Sequence, residues 1–301
     1  MIRRVCVVGA GSIGSLFAGH LARVADVGVL TRRAEHAQAL EREGLRVSGR
    51  SELVRKVRAS TDPRELGAPE LVIMACKGVD LEAAAAGLEG AFSGATVVTV
   101  QNGLGAEEIM RAHGDWPLIS GVTFMSGTKH SDTHVEYILD TATWLGPYDA
   151  PMETVREAAA LIASSGLRAE AFDDLRPAQW AKLIFNATVN AVAALTGLPH
   201  DVHYAEGALG ELVRELADEG KAVAAAAGVE LREDPWEMNV HATKRGAAHY
   251  PSMLEDVEAH RPTEIELITG ALVREAGRHG VDVPRHAALY ALVRGKEASY
   301  R

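Results

Sequence analysis

The sequence predicts an α/β protein in two parts, an N-terminal domain of alternating strands and helices followed by an all-helical C-terminal domain. Three observations carry this. Short apolar runs recur from residue 5 to residue 172, the pattern of strands buried on both faces of a parallel sheet. The first of them, Val5–Val8, opens directly into Gly9-Ala10-Gly11-Ser12-Ile13-Gly14. Beyond Asp173-Asp174 the strand-like runs stop and helical periodicity continues to the end of the chain. With 301 residues there is enough chain for two cores, and the expected domains are 1–172 and 173–301.

The opening run is a complete G-x-G-x-x-G. Helical spacing follows through Leu16, Phe17, Leu21 and Ala22, then a second apolar strand at Val27–Leu30. A glycine motif placed between a strand and a helix, inside a strand–helix–strand unit of this length, is the signature of a Rossmann-type dinucleotide site. Gly9 and Gly11 allow a tight turn and close approach of backbone to a pyrophosphate. Gly14 lets helix and strand pack closely, and the helix amino end, with Ser12 and Ile13, faces the phosphates. An NAD-selective site would carry Asp or Glu at the end of the second strand, whereas this chain has Thr31-Arg32-Arg33. Guanidiniums there suit a ribose 2′-phosphate, so the expected cofactor is NADP(H).

Ala34–Glu43 reads as the next helix, Leu45–Val47 and Leu53–Val57 as short strands, and Leu71–Cys76 as a buried strand followed at once by Lys77. Val97–Val100 repeats that design and ends in Gln101-Asn102-Gly103. Polar groups just beyond strands of an open parallel sheet line the crevice at its carboxyl edge, which places Lys77 and Asn102 beside the cofactor. Pro117–Phe124, Val135–Ile138, Thr143–Leu145 and Leu167–Phe172 are further expected strands, with a helix at Met152–Ser165.

In the C-terminal half, Trp180–Asn190 (WAKLIFNATVN) is an apolar helix with one polar stripe. Lys182, Asn186 and Asn190 stand at i, i+4 and i+8, within about 80° of arc. A helix so apolar is buried, and a buried ammonium or amide needs a partner or a cavity to face. Gly207–Gly228 is a further helix. Ser252-Met253-Leu254-Glu255 has the form of a capping box with Ser252 as cap, and Arg261-Pro262-Thr263-Glu264 is expected to end that helix and begin another.

Composition narrows the classes of function. A net charge of −10 disfavours non-specific binding to nucleic acid or to an anionic membrane. Cys6 and Cys76 lie in strand-like runs and read as reduced core thiols, and the start Met1-Ile2-Arg3-Arg4 leaves no room for a signal peptide; both point to the cytoplasm. His200, His203, His241, His249 and His260 fall in no metal-ligand spacing, so no metal is expected.

Taken together, GAGSIG, the lysine of MACKG, QNGLG, WAKLIFNATVN, PSMLEDVEAHRPTEIELITG and GVDVP, in this order, resemble the ketopantoate reductase (2-dehydropantoate 2-reductase) family over nearly the whole chain. The resemblance implies NADPH-dependent reduction of ketopantoate, or a related branched 2-oxo acid, to the 2-hydroxy acid, as in pantothenate biosynthesis. It implies Lys182 as general acid with Glu264 beside the substrate, and Asn186, Asn190 and Ser252 holding the substrate. It implies Lys77 and Asn102 at the nicotinamide end and Arg32 at the 2′-phosphate. A homodimer is expected from the resemblance alone. Three positions depart from the family pattern: His200, the segment Ser131-Asp132-Thr133-His134, and His286. Two other readings compete, a dehydrogenase of another hydroxy acid with the same layout and a non-catalytic NADP(H)-sensing protein.

Overall fold

A computed structural model describes residues 2–201, 207–245 and 250–300; His203 and His249 lie outside the described residues. Contacts divide the chain into two units. The first comprises Met1–Gln101 and Ala106–Leu175, the second Asn102–Gly105 and Arg176–Arg301.

The first unit is built on β1 (Arg4–Val8), α1 (Ser12–Leu21), β2 (Asp26–Leu30), α2 (Ala34–Glu43), β3 (Leu45–Gly49), β4 (Leu53–Arg55) and β5 (Arg58–Ser60). There follow β6 (Leu71–Met74), α3 (Gly78–Ala86), β7 (Thr96–Thr99), α4 (Ala106–His113) and β8 (Leu118–Thr123). The hairpin β9 (Ser126–Ser131) and β10 (His134–Leu139) leads into β11 (Thr143–Pro147), α5 (Met152–Ser164) and β12 (Ala169–Ala171). The main sheet runs β12-β11-β8-β7-β6-β1-β2-β5. Its strands from β5 to β8 are parallel, and only the β8–β11 pairing is antiparallel.

Because β2 and β6 flank β1 on opposite sides, the strand order reverses at β1. That is the switch point where an open parallel sheet binds ligands. Period-two alternation along β1 serves both faces. Val5 and Val7 join the core formed with α1, α2 and α5, while Cys6 and Val8 join the core formed with α3 and α4. Cys6 is accordingly a core thiol, and burial pushes it up to about 12.

A smaller sheet, β4-β3-β10-β9, covers α1. The sequence gives no apolar signal for β9. Its residues, SGTKHS, are largely polar and half-exposed, and its strand character comes from pairing with β10. Strand β5 is likewise short and lies at the edge of the main sheet beside β2.

The second unit is helical: α6 (Arg176–Thr196), α7 (Ala208–Ala226), α8 (Pro235–Arg245), α9 (Ser252–Glu258), α10 (Thr269–His279) and α11 (Pro284–Ala298). Helix α6 packs against each of the other five described helices, which explains why its sequence is apolar nearly all round. Gly220 of α7 lets that helix come close to α6, since a Cβ there would stand 2.7 Å from Ile184 Cγ2. Among the described residues no helix is long and apolar enough to cross a membrane.

Candidate active site

The glycine turn follows from the ends of three strands. The Gly9 N–H donates to the Leu30 carbonyl at 2.9 Å and the Ala75 N–H to the Val8 carbonyl at 2.8 Å, so β2, β1 and β6 are tied at their carboxyl ends. Gly9 has φ +95°, and a side chain there would meet the Cys76 backbone at 2.7 Å. A Cβ on Gly14 would lie 1.9 Å from the Gly9 carbonyl oxygen, so this glycine closes the helix onto the turn as its place in the motif predicts.

Gly11 is different. It is exposed, and the space a side chain would fill is open. As the N-cap of α1 it offers no side-chain cap, and the first turn carries no acid. The amides of Ser12 and Ile13 therefore lie at a positive helix end with room beside it, which fits a dinucleotide pyrophosphate.

Around that turn, Lys77 is the exposed N-cap residue of α3, directly after β6. Gln101, at the end of β7, donates from Nε2 to the Met74 and Cys76 carbonyls at 2.8 and 3.0 Å and so braces the segment leading into Lys77. The arginines at the end of β2 are both engaged by carboxylates, which their position in the sequence does not reveal. Arg32 donates to Asp80 Oδ1 at 2.5 Å, and Arg33 grips both oxygens of Asp132 at 2.6 Å.

The second unit assembles the polar stripe of α6. Lys182, Asn186 and Asn190 are all buried, at 8, 9 and 5 % exposure. Burial brings the Lys182 ammonium down to about 8, against the opposing pull of the Glu264 carboxylate, so desolvation outweighs the charge pairing. No hydrogen bond ties the side-chain amide of Asn186 or Asn190 to another described residue. Buried amides in that condition are acceptors and donors held ready for a ligand.

Glu264 is oriented from two sides. The Asn102 side-chain amide donates to Glu264 Oε2 at 2.9 Å. Gly103, with φ +98°, lets this segment lie against the backbone at Leu267, where a Cβ would come within 1.7 Å of the carbonyl oxygen. The Leu104 N–H donates to that same carbonyl at 2.9 Å. Just before Glu264, Thr263 donates its N–H and hydroxyl to Glu297 Oε1 of α11 at 2.7 and 2.8 Å.

Two local expectations are corrected. The helix expected to begin at Glu264 begins at Thr269; residues 265–268 form a turn whose Leu267 carbonyl bonds Leu104. Ser252 is not a cap. It is the first residue of α9 and exposed, and the N-cap position belongs to Pro251, held extended at φ −59°, ψ 142°. The free Ser252 position keeps the hydroxyl available, but the capping box does not form.

Of the departures, His286 is fully buried with its Nδ1 2.9 Å from Glu219 Oε2, so it fastens α11 to α7 rather than lining a pocket. His200 is buried with its ring centroid 5.9 Å from that of Phe185, the neighbour of Asn186. Asp132 forms the charge network described below.

The first unit thus carries a glycine turn at a helix amino end, and the second a buried lysine lowered to about 8 and a carboxylate held by Asn102. Both parts match established families of sequence: residues 5–150 match the model described as ketopantoate reductase PanE/ApbA, and residues 174–297 the model of its C-terminal domain. The chain belongs to the ketopantoate reductase family. Among relatives of this family, a 2-dehydropantoate 2-reductase of Archaeoglobus fulgidus is 32 % identical, with 99 % of each chain covered. The crystal structure of a PanE/ApbA family ketopantoate reductase from Ralstonia eutropha JMP134 superposes with a TM-score of 0.91 at 29 % identity, covering 99 % of both chains. A D-mandelate dehydrogenase solved with NADH and anilino(oxo)acetate gives 0.89 at 25 % identity, again over 99 % of both. The ketopantoate reductase family thus accounts for both the sheet unit and the helical unit, and makes the chain an oxidoreductase.

Proposed function

We propose that this chain reduces 2-dehydropantoate, or a related branched 2-oxo acid, to the corresponding 2-hydroxy acid with NADPH, in the manner of pantothenate biosynthesis. The observation that carries the reading is Lys182: a lysine brought by burial to about 8 on a helix face with Asn186 and Asn190, and with Glu264 close enough to influence its charge.

The chemistry supplied by bound NADPH is a hydride to the ketone carbon. Gly9, Gly11, Ser12, Ile13, Gly14, Arg32, Lys77 and Asn102 are the residues assigned to hold it, with the glycine turn against the pyrophosphate and Arg32 toward the 2′-phosphate. Lys182 polarises the carbonyl as an ammonium and then donates its proton to the developing alkoxide, two tasks for which a pKa near 8 is better suited than one of 10.5. Glu264 favours the charged form of the lysine before transfer, and Asn102 fixes the orientation of that carboxylate. Asn186, Asn190 and Ser252 supply hydrogen bonds for the substrate carboxylate, which provides locally the anion affinity that a net charge of −10 lacks.

The test is NADPH oxidation with a panel of 2-oxo acids, ketopantoate included. We expect turnover with ketopantoate, and a kcat reduced at least about 100-fold in Lys182→Ala. Undiminished turnover in that variant would remove Lys182 from the role of acid. Activity confined to an aryl 2-oxo acid would favour the second reading, a 2-hydroxy acid dehydrogenase, for which His200 against Phe185 is the supporting contact.

A further inference from the structure

The β9–β10 hairpin carries Asp132 at its turn, and four side chains meet there. Arg33 donates to both Asp132 oxygens at 2.6 Å. Lys129 of β9 donates to Asp132 Oδ1 at 3.2 Å and to the carbonyl oxygen of Ala10, inside the glycine turn, at 3.0 Å. His36, in the first turn of α2, is buried with Nε2 2.9 Å from the Asp132 carbonyl oxygen and 3.4 Å from Lys129 Nζ. The Arg33 backbone is itself held, since its carbonyl accepts the Thr31 hydroxyl at 3.0 Å.

This network touches the glycine turn, the end of β2 and the start of α2 together. Those three places frame the adenosine ribose in a Rossmann-type site. Burial holds His36 below its ordinary pKa, so the network sums two cations and one anion. Beside it, Arg32 and Asp80 cancel. Before Arg33 can grip a phosphate, its Nη2 must give up charge-assisted bonds to both Asp132 oxygens, and the carboxylate left behind repels a dianion. A ribose 2′-hydroxyl incurs neither cost. Lys129, anchored on Ala10, keeps Asp132 from swinging aside.

We propose that Asp132 is a specificity-determining residue of the dinucleotide site: by retaining Arg33 it withdraws one of the two guanidiniums at the end of β2 from the 2′-phosphate and lowers the chain's preference for NADPH over NADH. The inference rests on the reading of Arg32 as a 2′-phosphate ligand.

The experiment is equilibrium titration of NADPH and NADH, followed by nucleotide fluorescence, into the wild type, Asp132→Asn, Asp132→Ser, Arg32→Ala and the double variant Asp132→Asn/Arg33→Ala. Removing the carboxylate is expected to tighten NADPH by about three- to tenfold, the size of effect open to a partly exposed charge pair, with NADH changed by less than about twofold. The double variant is expected to lose that gain. Unchanged or weaker NADPH binding in both Asp132 variants, parallel shifts for the two nucleotides, or a gain that survives removal of Arg33 would overturn the proposal. Arg32→Ala separates the two ideas. Equal losses of NADPH and NADH there refute the 2′-phosphate reading and the inference with it; a selective loss of NADPH there, with no response to Asp132, refutes the inference alone.

Discussion

A lysine that gives up a proton at neutral pH has first to be taken out of water. Lys182 meets that condition through its position on α6, the helix packed against all the other described helices of its unit, and Glu264 limits how far the ammonium is destabilised. The sign of the activity profile follows. On the proposed mechanism carbonyl reduction needs the protonated lysine, so its rate is expected to be level below about pH 8 and to fall as pH rises through that value. Glu264→Gln removes the influence that raises the lysine, so the alkaline limb should move to lower pH along with any loss in kcat. A pH–rate series of wild type and variant checks this, and a limb that stays put or moves upward would show that Glu264 does not act on Lys182. The stripe itself is legible from i, i+4, i+8 spacing. Whether burial or Glu264 prevails is not, because burial depends on five other helices.

At the scale of elements, Glu219 of α7 acts as a clamp for the start of α11. Its carboxylate accepts the backbone N–H groups of Arg285 and His286 at 3.1 Å each, satisfying donors at the helix amino end, together with both of their side chains. Burial works against the charge, but the hydrogen bonds from His286 and Arg285 outweigh it and hold Glu219 down to about 2. A carboxylate lowered on folding stabilises above its unfolded pKa, and the contribution is lost as pH falls through the folded one. The clamp should therefore be fully present above about pH 5 and vanish as pH falls toward 2. Glu219→Gln is expected to cost about 1–3 kcal/mol at neutral pH, and the difference from wild type should shrink in acid. Urea melts across pH measure it, and a difference independent of pH would place the effect elsewhere. Nothing in local sequence links residues 219 and 286, which is why His286 looks like a pocket residue until the helices are packed. The β9 strand is not legible in the sequence for a related reason: its polar residues pair with β10 but bury little.

For the molecule as a whole, the proposed cofactor turn and the proposed acid have separate sources. The glycine turn belongs to the first unit and Lys182 to the second. Gly14→Ala, whose methyl would meet the Gly9 carbonyl oxygen at 1.9 Å, should abolish dinucleotide binding, whereas Lys182→Ala should bind NADPH within about twofold of wild type while losing turnover. Calorimetric titration of both variants tests the division; equal loss of affinity in the two would refute it. The alternating strands of the first half and the helices of the second could be read directly because each is written in local periodicity. Carboxylates that meet arginines across long sequence separations, as Asp80 and Asp132 do, could not.

The placing of Asn102–Gly105 has a consequence for how such a chain can be recombined. The tetrapeptide stands between β7 and α4 in sequence but belongs by its contacts with the helices, where Asn102 holds Glu264. A chimaera joined at Leu175 would take Glu264 from one parent and its hydrogen-bond donor from the other, and would seat a foreign Gly103 on the Leu267 carbonyl. Heredity of the helical half is therefore not modular: exchange between relatives must carry four residues from the middle of the other half, or the carboxylate arrives without the amide that aims it.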